Sequence, residues 1–276
     1  MSPNGGGRQR GTPVERGSAR RGTGTGPPGS EERTSRDREL MERQADALYT
    51  HDAAGRIVRV REHDGAPAPR FFLGRTAGGV VCRCRHDVDA ARCRALTAAA
   101  ADASVDLATE VASDGRAVDP ARYLALLAPG APVTAVEGGP AFYFPSDVPG
   151  PPPRDGDEGA VVSVTAVNVD VLRPLLPAWV PDVHRSPPLV ALVVGGRVVA
   201  VCGSVRITAR AHEAGVDTAA PLRGRGHAPR IVAAWAGAVR ALGAEPLYST
   251  SWQNAASRAV ARKLGLVLYG TDLNIP

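Results

Sequence analysis

No stretch of this 276-residue chain approaches the roughly 18 to 20 consecutive apolar residues needed to cross a bilayer, and its opening residues lack the apolar core of a secretory signal. A membrane partner is therefore not expected, and the chain is read as a soluble protein of the cytoplasm. Lysine is almost missing, with Lys263 standing alone among the basic residues. The 33 Lys and Arg residues exceed the 28 Asp and Glu residues by five, short of the excess a dedicated nucleic-acid binder carries. Arginine is abundant together with alanine, glycine and proline, so its number by itself says little about phosphate recognition. Cysteine is scarce too. Three of the four cysteines crowd between Cys82 and Cys93, which does not resemble the spaced framework of a small secreted scaffold, and reduced thiols are expected.

What is present is enough apolar material, 43% of residues, for one large domain or two small ones. From Met1 to Arg38 the chain is Gly, Pro, Ser, Thr and Arg with scattered acids, too polar to offset its own chain entropy, and it reads as a disordered basic tail. Residues 39–147 read as a smaller α+β region of unknown role. Strands are expected over 56–61, 70–73 and 80–84, then a helix over 88–101 capped by Asp87 and a shorter one over 121–127. Residues 148–159, with Pro149, Pro151, Pro152 and Pro153 among acids, read as a stiff, solvated linker and a domain boundary. Residues 160–276 alternate as an α/β layer structure. Strands are expected at 161–165, 189–194 and 198–205, the last two forming a hairpin at Gly195-Gly196, and a helix from Asn168. A strand near 212–218, a helix over 228–242, a strand near 247–250, a helix over 254–264 and a strand over 266–269 complete the order.

The local feature of greatest interest is Arg223-Gly224-Arg225-Gly226, where a strand runs into an amphipathic helix. Glycines let backbone N–H groups approach an anion with no Cβ in the way, and the helix dipole adds positive potential at the same place. Pro229 suits the first turn, Ile231, Val232, Trp235, Val239 and Leu242 share one face, and Gly243 supplies the stop. Two glycines alone fit an ordinary loop equally well. A P-loop is excluded because no Gly-Lys-Ser/Thr follows, and the dinucleotide pattern fails because Pro229 occupies its third glycine position.

From Glu213 to Leu268 the chain resembles the GNAT superfamily of N-acetyltransferases. That superfamily's signature, Gln/Arg-x-x-Gly-x-Gly/Ala, is met by Pro221-Leu222-Arg223-Gly224-Arg225-Gly226, which departs from it at the first position. A second match runs from Asn254-Ala255-Ala256-Ser257 through Val260, Lys263 and Leu264 to Gly265-Leu266, similar to the family's Asn-containing turn, helix and Lys-Leu-Gly-Phe ending. The resemblance covers 161–275 and implies a GNAT-type mixed sheet flanked by helices.

It further implies an acyl-coenzyme A-dependent N-acyltransferase, in which acetyl-CoA is the cosubstrate and a primary amine attacks the thioester directly in a ternary complex. By resemblance, the backbone of Val216, Asp217 and Thr218 would pair with pantetheine as an added strand. The N–H groups of Arg223, Gly224, Arg225, Gly226, His227 and Ala228 would hold the pyrophosphate. Asn254 would contact pantetheine, with an N-cap as its competing role, and Ser257 would donate to the leaving sulfur. The general base falls to Glu213 or its neighbour His212, of which one can reach the site because adjacent strand residues face opposite ways. The family's usual acid, a tyrosine four residues before the Lys-Leu-Gly glycine, is here Ala261. Tyr248, Ser249 and Trp252 are read as lining the groove where the fourth and fifth strands separate.

Cys82, Cys84 and His86 alternate toward one strand face and Cys93 follows on the apolar side of the next helix, but the spacing matches no standard zinc module, and no metal site is expected. No Gly-x-Ser-x-Gly elbow occurs, so a Ser-His-Asp hydrolase is set aside. Two other readings stay open: a non-catalytic acyl-CoA sensor with the same fold, suggested by Ala261 and Pro221, and a nucleic-acid-associated role for the basic tail. The acceptor is unassigned, and residues 39–147 are read as a degenerate second copy of the fold, a substrate-recognition module or part of a homodimer interface.

Overall fold

The computed structural model describes residues 29–62, 67–102, 105–128, 132–133, 136–148, 150, 152 and 158–276. The expected disorder of residues 1–28 and most of the 148–159 linker lie outside them. The elements in chain order are α1 (Ser30–Leu48), β1 (Tyr49–His51), β2 (Ile57–Val60), β3 (Phe71–Thr76), β4 (Gly79–Cys84), α2 (Ala90–Ala101), α3 (Leu107–Ala112), α4 (Ala121–Leu127) and β5 (Glu137–Tyr143). These are followed by β6 (Gly159–Ser163), β7 (Leu189–Val194), β8 (Arg197–Ile207), β9 (Ala211–Thr218), α5 (His227–Ala241), β10 (Glu245–Ser249), α6 (Ala255–Lys263) and β11 (Val267–Ile275). Apart from the small β1–β2 pair, the strands form one mixed nine-stranded sheet in the order β4-β3-β11-β5-β10-β9-β8-β7-β6. Helices flank it, as expected for the α/β class. None is long and apolar enough to cross a membrane among the described residues.

Side-chain alternation divides the sheet into two apolar faces. Phe72, Ala141, Ala211 and Leu247 pack with Leu40, Met41, Ala45 and Leu48 of α1. Residues of opposite parity, Phe71, Leu73, Leu273 and Ile275, meet Leu96, Ala100, Tyr123 and Leu127 of α2 and α4. Farther along, Leu192, Ala200, Cys202 and Tyr248 receive Ile231, Val232, Trp235, Ala236 and Val239 of α5. Each large side chain buried this way contributes about 1.5–3 kcal/mol, so the apolar stripe of α5 is what fixes its N-terminus relative to β9.

Several expectations need correction. The chain is helical from Ser30, within the segment expected to be a disordered tail. Its first turn carries Glu31 and Glu32 at the positive end of the helix dipole, and the Gly29 N–H donates to Glu32 Oε2 at 3.2 Å. Composition hid this because the apolar residues that anchor the helix begin only at Leu40. Helix α2 starts at Ala90 with Asp89 as its cap, accepting from the Arg92 N–H at 2.8 Å, while Asp87 binds Arg85 instead. The helix expected from Asn168 is two short 3-10 turns, 169–172 and 177–179. Pro174 and Pro177 supply no N–H, and the Asn168 side chain is engaged upstream, accepting from the Thr165 N–H and donating to the Ser163 carbonyl.

The sheet also runs across the expected boundary at 148–159. Strand β5, from upstream of it, lies between β10 and β11, pairing Leu247 with Tyr143 on one edge and Asp272 with Gly139 on the other. Its sequence Glu137-Gly138-Gly139-Pro140 reads as a turn, which concealed it. A protein comprising residues 158–276 alone is expected to lack a cooperative urea transition, because β10 and β11 then lose the strand that joins them. A sigmoidal transition at the full chain's midpoint would show the segment to be an independent domain.

Candidate functional site: an open strand edge facing a glycine turn

Strands β9 and β10 are parallel neighbours, but their pairing is short: Ala211, His212 and Glu213 oppose Glu245, Pro246 and Leu247. Strand β9 continues to Thr218 bonded to β8, as in the pairs Cys202 with Val216 and Ala200 with Thr218. A register irregularity in β8 between Ser204 and Arg206 adds twist at this point. From Ala214 to Thr218 the edge of β9 that faced β10 is thus without a ladder partner among the described residues, a template for an extended ligand. Val216, Asp217 and Thr218 all lie on it. Thr218 Oγ1 is buried there with no hydrogen-bond partner among the described residues.

The open edge ends at the turn that begins α5. Gly224 and Gly226 hold φ of 80° and 90°, in the left-handed region, and a Cβ on either would meet nothing within 4 Å. The N–H groups of both have no acceptor among the described residues, and Gly226, as N-cap, brings no capping side chain. Among the described residues the turn therefore leaves these two backbone donors free at the positive end of a 15-residue helix. Ala228 follows in the first helical turn, over the buried His227 and Pro229. Arg223 folds back toward the strand, its Nε donating to the Thr218 carbonyl at 3.1 Å and its Nη2 lying 3.5 Å from Asp217 Oδ1. It braces the turn. Arg225 is exposed.

Alternation along β9 separates His212 from Glu213. The His212 Nδ1 lies 2.9 Å from Ser204 Oγ, which also accepts from Trp235 Nε1 at 3.1 Å, so the imidazole is held under α5. Burial pushes its pKa down. Glu213 faces the other side and is 1% exposed. Its Oε2 accepts from the Ser249 N–H at 3.2 Å and from Ser249 Oγ at 3.1 Å, while Oε1 has no partner. Burial raises its pKa from 4.5 to about 7, against the lowering influence of Arg206.

On the opposite side of the splay, Asn254 caps α6 by accepting from the Ser257 N–H at 3.0 Å. The Ser257 hydroxyl lies 2.7 Å from that of Tyr248, whose pKa burial lifts to about 12. Ala261 is buried in the core beside α5, so the helix carries no phenol at that position. Tyr248 brings one from β10 instead. Trp252 lies over Gly115 and does not line the cleft beside β10.

That cleft, of about 460 Å³, is lined by Tyr49, Glu62, Glu137, Arg206, Ser249, Asp272 and Asn274 among others. A polar network joins its wall to the buried Gln44 and Tyr269: Gln44 Nε2 donates to Asp272 Oδ2 at 2.8 Å, Asn274 Nδ2 to Asp272 Oδ1 at 3.1 Å, and the Tyr269 hydroxyl to Gln44 Oε1 at 2.7 Å. Burial raises the Asp272 pKa to about 6. Sequence reasoning missed Gln44, Tyr49, Asp272 and Asn274. The one signal was Asp272-x-Asn274, two polar residues on one face of an otherwise apolar final strand. The cysteines Cys82, Cys84, Cys93 and Cys202 are free thiols, and Cys93 accepts from Arg56 at 3.2 Å.

No protein-family profile and no curated protein matches this chain. Among solved structures it is similar to a GCN5-related N-acetyltransferase-like protein from Streptococcus suis, at 17% identity and a TM-score of 0.37 over 51% of this chain and 63% of that one. It is similar also to a GCN5-related N-acetyltransferase from Kribbella flavida, at 18% identity and a TM-score of 0.41 over 55% and 63%. An acetyltransferase of the GNAT family from Colwellia psychrerythraea is matched over 90% of this chain and 97% of that one, at 10% identity and a TM-score of 0.44. The chain thus spans less than two thirds of the length of the first two.

Because the folded protein holds the Glu213 proton more tightly than the unfolded chain does, stability falls as pH rises from about 4.5 to about 7 and is level above that. Replacing Glu213 with Gln removes this loss. In urea titrations the variant should gain on the order of 2–3 kcal/mol relative to the wild type between pH 5 and pH 8. Parallel profiles for the two proteins would refute the buried-acid description.

Proposed function

We propose that this chain transfers the acyl group of acetyl-CoA to a primary amine by direct attack in a ternary complex. The observation that carries the reading is a coincidence of three features on one strand. Where β9 loses its neighbour, Glu213 is buried. Along the next residues the backbone edge is open, and where the strand ends an uncapped glycine turn presents N–H groups to solvent. An extended chain ending in a diphosphate fits that sequence of groups, and the buried Thr218 hydroxyl, without a partner among the described residues, and the clear Cβ positions of Gly224 and Gly226 support such a ligand.

Val216, Asp217 and Thr218 would hold the pantetheine by backbone pairing, and the turn from Arg223 to Ala228 the pyrophosphate. When bound, the thioester supplies the activated acyl group. Glu213, with a pKa near neutrality, accepts the amine's proton through water, since its carboxylate lies behind Ser249. The hydroxyl pair Tyr248–Ser257 stands on the α6 side, where Ser257 would donate toward the leaving sulfur. Asn254 uses its carbonyl oxygen as the helix cap, which leaves its amide hydrogens for the pantetheine. A second reading, an acyl-CoA sensor without turnover, is favoured by one observation, the buried Ala261 in place of a phenol on α6.

Acetyl-CoA at about a hundredfold excess over its Kd should stabilise the protein by about 2.7 kcal/mol, seen as a raised Tm. Gly226→Val, which forces a β-branched residue into the left-handed region at a cost of about 1–3 kcal/mol, should still fold by circular dichroism but lose that shift. Glu213→Gln should keep the shift and lower turnover by roughly 10²–10⁴-fold. No shift with the wild type defeats the central reading; a shift without acetyl transfer to any of a broad amine panel, followed by mass change, selects the sensor.

A further inference from the structure

The cleft beside β10 has a charge pattern that bears on which amine is acylated. Among the described residues three carboxylates, Glu62, Glu137 and Asp272, line it against one guanidinium, Arg206. Glu62 and Arg206 are bonded to each other and cancel. Asp272 is held by two amide donors, from Gln44 and Asn274, neither of which brings a compensating charge. Glu137 is exposed at the rim and takes part in no ion pair among the described residues.

Strand register places these groups. Asn274 is directly opposite Glu137 and Asp272 opposite Gly139, so Glu137 and Asp272 are diagonal neighbours on one face, separated by roughly 7–8 Å at the backbone. Gly139 leaves that part of the strand without a side chain, and the Thr250 carbonyl occupies the space a Cβ would take. Ser249, which pairs with Ala141 of β5, lines the same cleft and donates both its N–H and its hydroxyl to Glu213. The second oxygen of Glu213 is buried with no partner. Carboxyl groups therefore run from Glu213 past Ser249 to Asp272 and out to Glu137, with Arg206, opposite Glu213 on β8 and bonded to Glu62, the cation among them. The volume of about 460 Å³ is that of a small-molecule pocket.

We propose that this cleft is the acceptor site and that the acceptor is a small amine carrying a second positive charge. This rests on the acyltransferase reading above. The reacting ammonium sits at the Ser249 end, near Glu213, and the second cation lies between Asp272 and Glu137. In the transfer, the amine nitrogen forms a bond to the acyl carbon as the carbon–sulfur bond breaks. The ammonium gives up two protons, one to the departing thiolate and one through Glu213 to solvent. An acceptor with a carboxylate in place of the second cation meets Asp272 and Glu137 here, while the lining guanidinium of Arg206 is already paired with Glu62.

The test uses the full chain with acetyl-CoA and three probes of similar length: diaminobutane, butylamine and aminobutyrate. The expected kcat/KM for diaminobutane exceeds that for butylamine by roughly five- to tenfold, with aminobutyrate the poorest. Glu137→Gln should lower the ratio of diaminobutane to butylamine by about half or more, the remainder being held by Asp272. Titration calorimetry of diaminobutane against the wild type and Glu137→Gln, in the presence of coenzyme A, reads the site without turnover. Preference for aminobutyrate, equal use of the two cationic probes, or no diaminobutane binding overturns the proposal. Acetyl-CoA stabilisation that persists in any of these cases leaves the acyltransferase reading standing.

Discussion

The double pairing of β5 is the constraint on which the rest of the molecule depends. Strand β10 has β9 on one side and needs a partner on the other; β11 is bonded to β3 and likewise needs one. A single seven-residue strand from the first half of the chain meets both demands. Its Gly138 and Gly139 then allow the segment after β10 to cross close above it, with the Trp252 N–H donating to the Gly138 carbonyl at 3.1 Å. That crossing sets where Asn254 stands and hence where α6 begins. The position of the splay, the helix beyond it and the floor of the cleft thus follow from the placement of one strand.

Against that rigid frame stands a concentration of polar groups under the sheet. Glu213 is withdrawn from water and Asp272 is half-buried at the cleft wall, and the charge of Asp272 adds to the burial that raises the Glu213 pKa. Such burial is unfavourable for the charged forms and is offset only in part, by Ser249 for one carboxylate and by Gln44 and Asn274 for the other. A core built only for stability would place apolar residues at these positions. The pattern of raised pKa values around a cleft is what proton-transfer chemistry near neutrality requires. The buried ion pair of Arg75 with Glu110, where Thr271 also donates to the carboxylate at 2.5 Å, shows the contrasting case of a charge fully compensated and away from the splay.

Most of the second half was legible because its periodicities are clean. The alternation of β7 and β8 about Gly195-Gly196, the apolar stripe of α5 and the bracket of Asn254 and Gly265 around α6 each have one physical solution. The glycine turn was legible for the same reason, since its residues act through backbone geometry. What could not be read lies in long-range pairing. Gln44 is one polar residue on a charged helix until Asp272, 228 positions later, is known to accept from it. Glu137-Gly138-Gly139-Pro140 carries turn chemistry, and only the two partner strands make it extended. The choice between His212 and Glu213 needed Ser204 and Trp235, which draw the histidine to the helical side.

The insertion of β5 also has a kinetic side. A chain emerging from the ribosome presents β5 well before either of its neighbours exists, and β10 and β11 are made more than a hundred residues later. Contacts so distant in sequence place a large loop-closure entropy ahead of any reward, so the central part of the sheet closes last. Until then two strand edges, with Ala141 and Phe142 on them, are open to the wrong partner. The interval between synthesis of β5 and synthesis of β11 is therefore the period in which wrong strand pairing competes most with folding.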